Sequence, residues 1–179
     1  MQRDKKRVDS LIINNNSSHY YLTVHRDSLL KSILFLFLDM NCQAKLLIDI
    51  VGSDFPYKKN RFYVFYNILS LLYGGRFFVS CSVSELDKIS SVVPLFSAAS
   101  WYEREIWDMY GIHFDGHPDL RRILTDYGFQ GHPLRKDFPL SGFIELYYNE
   151  RLHSIVYQPV SFIQEYRHFD TLSPWEWIN

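Results

Sequence analysis

The 179-residue sequence contains only two cysteines, Cys42 and Cys81, and neither belongs to a CxxC motif. An iron–sulfur cluster usually takes four cysteines, and a Rieske centre takes two cysteines together with two histidines. This chain therefore cannot hold a cluster alone. The low cysteine count also excludes a disulfide framework and a zinc knuckle, and it fits a reducing compartment.

Long apolar runs and an excess of one charge are also missing. The longest apolar run, at 33–38, has six residues, whereas a transmembrane helix needs about 20. A net charge of −1 argues against nucleic-acid binding. No GxxxxGKS/T, GxGxxG or GxSxG motif is present. The basic start at 1–7 has no apolar stretch after it, so we expect no secretory signal.

Charge and residue types are unevenly distributed along the chain. Residues 1–100 carry 12 basic and 8 acidic groups, and residues 101–179 carry 7 and 12, so the two halves are expected to face different surroundings. The chain has 14 Phe and 13 Tyr but only three Ala. This bias toward AT-rich codons is typical of organelle genomes, and we expect the gene to be organelle-encoded.

The spacing of apolar residues and chain breakers predicts three helices followed by a loop-rich arm. Helices are expected at 29–40, 84–93 and 96–110, and strands at 45–51, 61–69, 76–83, 143–148 and 154–157, with short turns that favour antiparallel neighbours. Five of the seven prolines lie after residue 112, and such a segment cannot easily bury itself. We therefore predict a polar lead-in at 1–25, a core domain at 26–112, and an extended arm at 113–179 that lies on a partner.

Two acidic residues on the third predicted helix suggest a possible active site. Glu105 and Asp108 are three residues apart and share a helix face, as a catalytic pair or a divalent-ion site would require. Arg104 precedes Asp108 by four residues. Acidic residues opposite an apolar stripe usually form a solvated or partner-facing surface, and this is the stronger interpretation.

A near-repeat, FDGHP at 114–118 and FQGHP at 129–133, precedes two basic pairs. Glycine permits a sharp bend and proline keeps the preceding histidine extended, so a histidine that hydrogen-bonds its own turn is the favoured interpretation. A metal site is the alternative, with His113, His117, Asp119 or His132 as ligands. The pairs Arg121-Arg122 and Arg135-Lys136 suit carboxylates on a partner, local aspartates, or a ligand phosphate.

Three stretches together resemble the signature of the respiratory complex I 30-kDa subunit family: EREIWDMYGI at 103–112, GHPDLRRILTDYG at 116–128 and GHPLRKDFP at 131–139. Weaker agreement at 54–66 and 169–176 extends the resemblance to about residues 27–177. The signature residues, which the resemblance implies lie at subunit interfaces, are Glu103, Arg104, Glu105, Trp107, Asp108, Gly111, Gly116, His117, Pro118, Asp119, Arg121, Arg122, Gly131, His132, Pro133, Arg135, Lys136 and Trp175.

The resemblance implies an α+β fold with a small mixed or antiparallel sheet, packed helices and an extended C-terminal arm. It also implies a core structural subunit in the peripheral matrix arm of the proton-translocating NADH:ubiquinone oxidoreductase of the mitochondrial inner membrane. Such a protein binds the 49-kDa subunit near the quinone-reducing module and associates with the membrane through the complex. It has no catalytic, cofactor-binding or metal-binding residues, because flavin, iron–sulfur clusters and quinone belong to partner subunits.

Within this family the basic pairs are expected to be interface charges, His117 and His132 to fix turns, and Trp101, Trp107 and Trp175 to be packing anchors. Two alternatives remain open. One is a stand-alone metal-dependent hydrolase that uses His113, His117 and Asp119. The other is the equivalent subunit of a hydrogenase-like complex, which shares most of the same motif.

Overall fold

The computed structural model describes residues 11–13 and 19–171. Their strands are β1 (Leu11–Ile13), β2 (His19–Val24), β3 (Leu46–Asp54), β4 (Phe62–Leu69), β5 (Arg76–Val83), β6 (Lys88–Ser90), β7 (His113–Asp115), β8 (Ile144–Asn149) and β9 (Ser154–Pro159). The helices are α1 (Leu29–Leu38) and α2 (Ala99–Tyr110), and one turn of 3-10 helix, Arg26–Ser28, precedes α1.

The main sheet has five strands in the order β1-β2-β5-β4-β3. β2 runs parallel to β5, and the other neighbours are antiparallel. Alternate residues of β4, from Phe62 to Ile68, are buried, because side chains of a strand alternate between its two faces. The predicted α+β fold with a mixed sheet is therefore confirmed, as are the antiparallel neighbours β3, β4 and β5.

Helix α2 lies close against β3, and a glycine makes this approach possible. A Cβ atom on Gly52 would stand 2.8 Å from the Tyr110 ring, so a larger residue would push the helix away. The Tyr102 hydroxyl donates a hydrogen bond to the Ile48 carbonyl at 3.0 Å. These two contacts fix where α2 ends relative to the sheet.

Two predictions from the sequence are wrong, one for residues 84–93 and one for residues 1–25. The helix expected at 84–93 is instead a turn followed by β6, which pairs in parallel with β7. Long-range pairing overrides the local apolar spacing there. The lead-in expected at 1–25 contains β2, which pairs with β5 along its whole length; its aromatic residues contribute to the sheet.

The chain divides into two compact units, residues 1–138 and 139–179. The division therefore falls after Phe138 and not after residue 112. The second unit contains a β8–β9 hairpin, and none of its described residues is buried. Among the described residues of both units, no helix is long and apolar enough to cross a membrane.

Candidate functional site

The signature residues surround the C-terminal end of α2. Gly111 ends this helix with φ +77°, a left-handed conformation that glycine adopts without strain. A Cβ atom at this position would stand 2.6 Å from both the Arg135 guanidinium and the His132 ring. Glycine is thus required for the backbone conformation and also for the close approach of residues 132–135.

Asp108 is the centre of this arrangement, and its side chain is fully buried. One carboxylate oxygen accepts the backbone N–H groups of Ile123, Leu124 and Thr125 at 3.1, 2.8 and 2.9 Å. The other oxygen accepts the Thr125 hydroxyl at 2.7 Å and the Arg122 guanidinium at 3.0 Å. One helical residue thereby fixes the backbone of three consecutive residues in the signature segment.

This set of donors keeps Asp108 charged. Burial acts to raise the pKa of Asp108, but the hydrogen bonds from Thr125 and from the backbone at 123–125 outweigh burial and lower the pKa to about 2. Arg122 also donates to the Gly131 carbonyl at 2.8 Å. A single guanidinium therefore connects the second near-repeat to Asp108.

Residues 132–135 supply donors for the last carbonyls of α2, which have no partner inside the helix. His132 Nδ1 donates to the Asp108 carbonyl at 2.9 Å, the Leu134 N–H to Met109 at 3.1 Å, and Arg135 Nε to Tyr110 at 2.6 Å. Arg135 also pairs with Glu85. A cation near a helix C-terminus is favourable because the carbonyl dipoles there are negative.

A second buried carboxylate anchors the end of the same segment. Asp54, in β3, forms a two-bond pair with Arg61 at 2.7 and 2.8 Å and accepts the Lys136 N–H at 2.8 Å. Arg61 also pairs with Asp137 at 3.0 Å. The hydrogen bonds from Arg61 lower the pKa of Asp54 below its usual range, so the ion pair persists at neutral pH.

A third buried carboxylate, Glu103, has no cationic partner among the described residues. It is fully buried in α2 and accepts the Ser91 hydroxyl at 2.6 Å and the Val92 N–H at 2.8 Å. Burial raises the pKa of Glu103 to about 7, although both hydrogen bonds oppose the rise. Glu103 thereby holds the turn between β6 and α2.

The acidic residues predicted to share a helix face do not form a pair. Glu105 is exposed, whereas Asp108 is buried, so the expectation of a solvated acidic surface is wrong for Asp108. Arg104 does not pair with Asp108. It lies over the Trp101 ring and donates to the Arg121 carbonyl. The partner of Asp108 is Arg122, which no local spacing indicates.

The histidines form different polar contacts, although His113 and His132 both pack against the Trp107 ring. His117 accepts the Asp119 N–H at Nδ1 at 3.0 Å, within its own turn, and its Nε2 lies 3.3 Å from the Ser100 carbonyl. His132 instead binds the end of α2, and the His113 ring packs edge-on against Trp107. Among the described residues, no three His, Cys, Asp or Glu side chains are grouped as metal ligands. These contacts give no support to the hydrolase alternative.

The basic pairs split into inner and outer members. Arg122 and Arg135 bind carboxylates and carbonyls of this chain, whereas Arg121 and Lys136 are exposed. Arg121 pairs with the exposed Asp119 at 3.0 Å, a contact that contributes little to stability. Gly116 and Gly131 have φ of +80° and +103°, as their bends require. Trp175 lies outside the described residues.

Sequence reasoning missed the roles of Thr125 and Glu85. Thr125 binds Asp108 and Glu85 pairs with Arg135, and no recognisable spacing links either pair. Asp54 and Arg61 were found only through the weaker part of the resemblance. Buried polar partners of this kind are set by tertiary packing.

Comparison with known proteins decides the family. A sequence model of the family described as "Respiratory-chain NADH dehydrogenase, 30 Kd subunit" matches residues 22–144. The chain belongs to this family. The matched range includes the buried carboxylates Asp54, Glu103 and Asp108 together with all the residues that they bind.

Curated relatives agree over most of the chain. An Arabidopsis thaliana protein named NADH dehydrogenase (ubiquinone) iron-sulfur protein 3 is 53% identical over 150 residues, which are 84% of this chain and 79% of that protein. An NADH-quinone oxidoreductase subunit of Paramagnetospirillum magneticum is 48% identical over 162 residues, 90% of this chain and 81% of that protein. The recognition of the complex I 30-kDa subunit family from the signature is confirmed.

A solved structure supports the fold alone. A chain of the membrane-bound sulfane sulfur reductase, an archaeal respiratory membrane complex, superposes with a TM-score of 0.61 at 22% identity. The match covers 72% of this chain and 76% of that chain. At this identity the likeness says nothing about activity.

Proposed function

We propose that this protein is a structural subunit of the mitochondrial proton-translocating NADH:ubiquinone oxidoreductase, in the peripheral arm on the matrix side of the inner membrane. Its role is to bind the 49-kDa subunit near the quinone-reducing module and to hold that subunit in the position that electron transfer requires. Family membership and the names of the curated relatives support this proposal. The membrane association is indirect, through the complex.

One observation carries the binding role. Residues 139–171 include a strand pair and many large apolar side chains, yet none of these residues is buried. Monomeric proteins rarely expose large apolar patches, and such patches usually mark a binding site for another protein. The exposed large apolar residues of this segment are Leu140, Phe143, Ile144, Leu146, Tyr147, Tyr148, Leu152, Ile155, Tyr157, Phe162, Ile163, Tyr166 and Phe169.

The proposal assigns the redox centres to partner subunits, although the plant relatives are named iron-sulfur proteins. The cysteines of this chain do not fit a cluster, which usually takes four of them. Cys81 is fully buried in β5, and burial raises the pKa of its thiol to about 12, which disfavours the thiolate that a metal requires. Cys42, the other cysteine, follows α1.

Truncation tests the binding role. A chain that ends at Phe138 keeps every anchor described above and lacks residues 139–179, which include the exposed segment at 139–171. Expressed in place of the full chain, it should fold but fail to enter the assembled complex, as measured by native gel electrophoresis and by the NADH:ubiquinone reductase rate of the membranes. A normal amount of active complex would contradict the proposal.

Charge reversal at Arg121 tests the expected interface charges separately. Reversal at Arg122 cannot do so, because Arg122 binds Asp108 and its loss would disturb folding. Lys45, which is exposed before β3, is the matched control. We expect Arg121→Glu to lower the amount of assembled complex and Lys45→Glu to leave it unchanged; equal amounts for both variants would show that Arg121 lies outside the interface.

A further inference from the structure

Glu103 connects α2 to two short strands of the first unit. Its carboxyl group binds the Ser91 hydroxyl at 2.6 Å and the Val92 N–H at 2.8 Å, directly after β6. The Ser91 hydroxyl also accepts the Val93 N–H at 3.2 Å. The Ser91 backbone N–H donates to the Asp115 carbonyl at 2.8 Å, at the end of β7. One side chain of α2 thereby holds the turn after β6 and, through Ser91, the strand with which the segment after α2 begins.

Glu103 and Asp108 lie on the same helix and are both fully buried, but their partners differ. Asp108 accepts five hydrogen bonds, one of them from the Arg122 guanidinium. Glu103 has only uncharged donors, one hydroxyl and one backbone N–H, among the described residues. A buried carboxylate is costly without a cation or a full set of donors. The protonated form of Glu103 is therefore the one that suits its site.

The titratable groups that face Glu103 across the core supply no countercharge. Tyr66 in β4 is electrostatically coupled to Glu103, and Cys81 in β5 is coupled to Tyr66. Burial raises the pKa of Tyr66 well above its ordinary value and raises the pKa of Cys81 to about 12, so both side chains are neutral near pH 7. The Tyr66 hydroxyl itself has no hydrogen-bond partner among the described residues.

The charged and titratable groups on the elements around Glu103 are all at least partly exposed. They are Arg26, Asp27, Asp87, Lys88, His113 and Asp115. Arg26 pairs with Asp87. Neither these groups nor any other residue in the described part of the chain forms an ion pair with Glu103. The site therefore depends on a proton for its neutrality.

We propose that the proton on Glu103 acts as a latch. While it is bound, Glu103 holds residues 91–93, β6 and β7 against α2; when it leaves, these residues separate from the helix while the main sheet and the contacts of Asp108 stay folded. Separation lets water solvate the charged carboxylate. β6 and β7 pair over only three residues each, and so short a strand pair has little stability of its own.

The latch should open near neutral pH. Burial raises the pKa of Glu103 to about 7, although the hydrogen bonds from Ser91 and Val92 oppose the rise. An opened carboxyl group has an ordinary pKa of 4.5. Opening therefore releases a proton between these two values, and a higher pH favours the open form.

Amide NMR of the isolated full-length chain tests which residues respond. The signals of residues 91–93 should shift together with a midpoint near pH 7, whereas those of residues 123–125 should stay unchanged between about pH 5 and pH 8. Glu103→Gln should abolish the shift, because glutamine has no proton to lose. Glu105→Gln, an exposed change on the same helix, should leave it intact. No shift in the unaltered chain, or a shift that persists in Glu103→Gln, would overturn the inference.

Hydrogen exchange at Val92 tests whether the opening is local. Once the ordinary effect of pH on exchange is divided out, protection of this N–H should fall about tenfold per pH unit between about pH 5 and pH 7. Near pH 8, low concentrations of urea should leave exchange at Val92 unchanged, because a local opening exposes little surface.

If urea instead accelerated exchange at Val92 in parallel with Leu124, Glu103 would reach water only when the whole unit unfolds, and the latch would be wrong. Protection at Val92 that does not change with pH would also contradict it. Both series use the unaltered chain, so they decide the question even if Glu103→Gln fails to fold.

Discussion

Residues 113–138 and residues 139–171 are both poor in long helices and strands, yet they are held in different ways. Two buried carboxylates hold the first region, Asp108 at residues 122–125 and Asp54 at residue 136. The second region has a hairpin and no buried residue. A lack of regular structure therefore does not by itself mean that a segment depends on a partner.

The difference lies in where the backbone polar groups find partners. In the first region, side chains of α2 and β3 accept backbone N–H groups at 123–125 and 136, and residues 132–135 donate to the end of α2. Buried polar groups need such partners. In the second region the cross-strand hydrogen bonds join β8 to β9, and none of residues 139–171 is buried.

Removal of the Asp108 charge should produce the largest effect on the first region. In Asp108→Asn, three backbone N–H groups, a hydroxyl and Arg122 compete for one acceptor oxygen. We expect the free energy of unfolding to fall by about 4 kcal/mol, as for other buried ion pairs that lose one partner. Urea unfolding of the purified chain measures it.

Glu105→Gln is the matched control, because it removes an exposed carboxylate one helical turn away. Its effect should stay within about 0.5 kcal/mol. If both variants unfolded at the same urea concentration, Asp108 would not be the anchor of residues 113–138, and the contrast between the regions would disappear.

A pH series should separate the buried carboxylates of the first unit. The pKa of Glu103 is about 7 in the folded chain against an ordinary value of 4.5, so the folded state binds this proton more tightly than the unfolded state. Stability should therefore fall as pH rises from 4.5 to 7, by about 3 kcal/mol.

Glu103→Gln should remove that slope, because glutamine mimics the protonated carboxyl group and can still accept the Val92 N–H. Asp108 acts in the opposite sense. Its pKa of about 2 lies below the ordinary 3.8, so its contribution is present above pH 3.8 and disappears as pH falls through 2. An unchanged slope in Glu103→Gln would contradict the assignment to Glu103.

Glycine substitutions should distinguish the regions by packing alone. In Gly111→Ala the new Cβ meets Arg135 and His132 and the backbone φ is positive, so we expect a loss of about 2 kcal/mol. Gly142 in the second region also has positive φ, but a Cβ there meets nothing within 4 Å. Gly142→Ala should therefore leave the thermal unfolding of the first unit unchanged. An equal loss of stability in Gly111→Ala and Gly142→Ala would show that residues 132–135 do not pack against the end of α2.

Deletion of the second region should have the smallest effect. A chain that ends at Phe138 should unfold with a free energy within about 0.5 kcal/mol of the full chain, since it retains Asp54, Glu103 and Asp108 with the partners described above. Calorimetry of both chains measures the difference. A large destabilisation would mean that residues 139–179 contribute to folding of the first unit.

The sequence predicted the elements whose signal is local. The apolar stripe from Ala99 to Met109 located α2, Gly111 marked its end, and the β-branched and aromatic runs located β3, β4 and β5. The helix expected at 84–93 failed because parallel pairing with β7 is non-local. For the same reason the pairing of Asp108 with Arg122 escaped prediction: they are 14 positions apart, too far for a side-chain contact along one helix, and only the folded loop brings them together.

Amide hydrogen exchange of the isolated full-length chain is the sharpest test of this difference in anchoring. We predict slow exchange at Ile123, Leu124, Thr125 and Lys136, whose N–H groups bind buried carboxylates, and fast exchange through most of residues 139–171. In the assembled complex the second region should become protected as well. Exchange at 123–125 as fast as at 139–171 in the isolated chain would contradict this explanation.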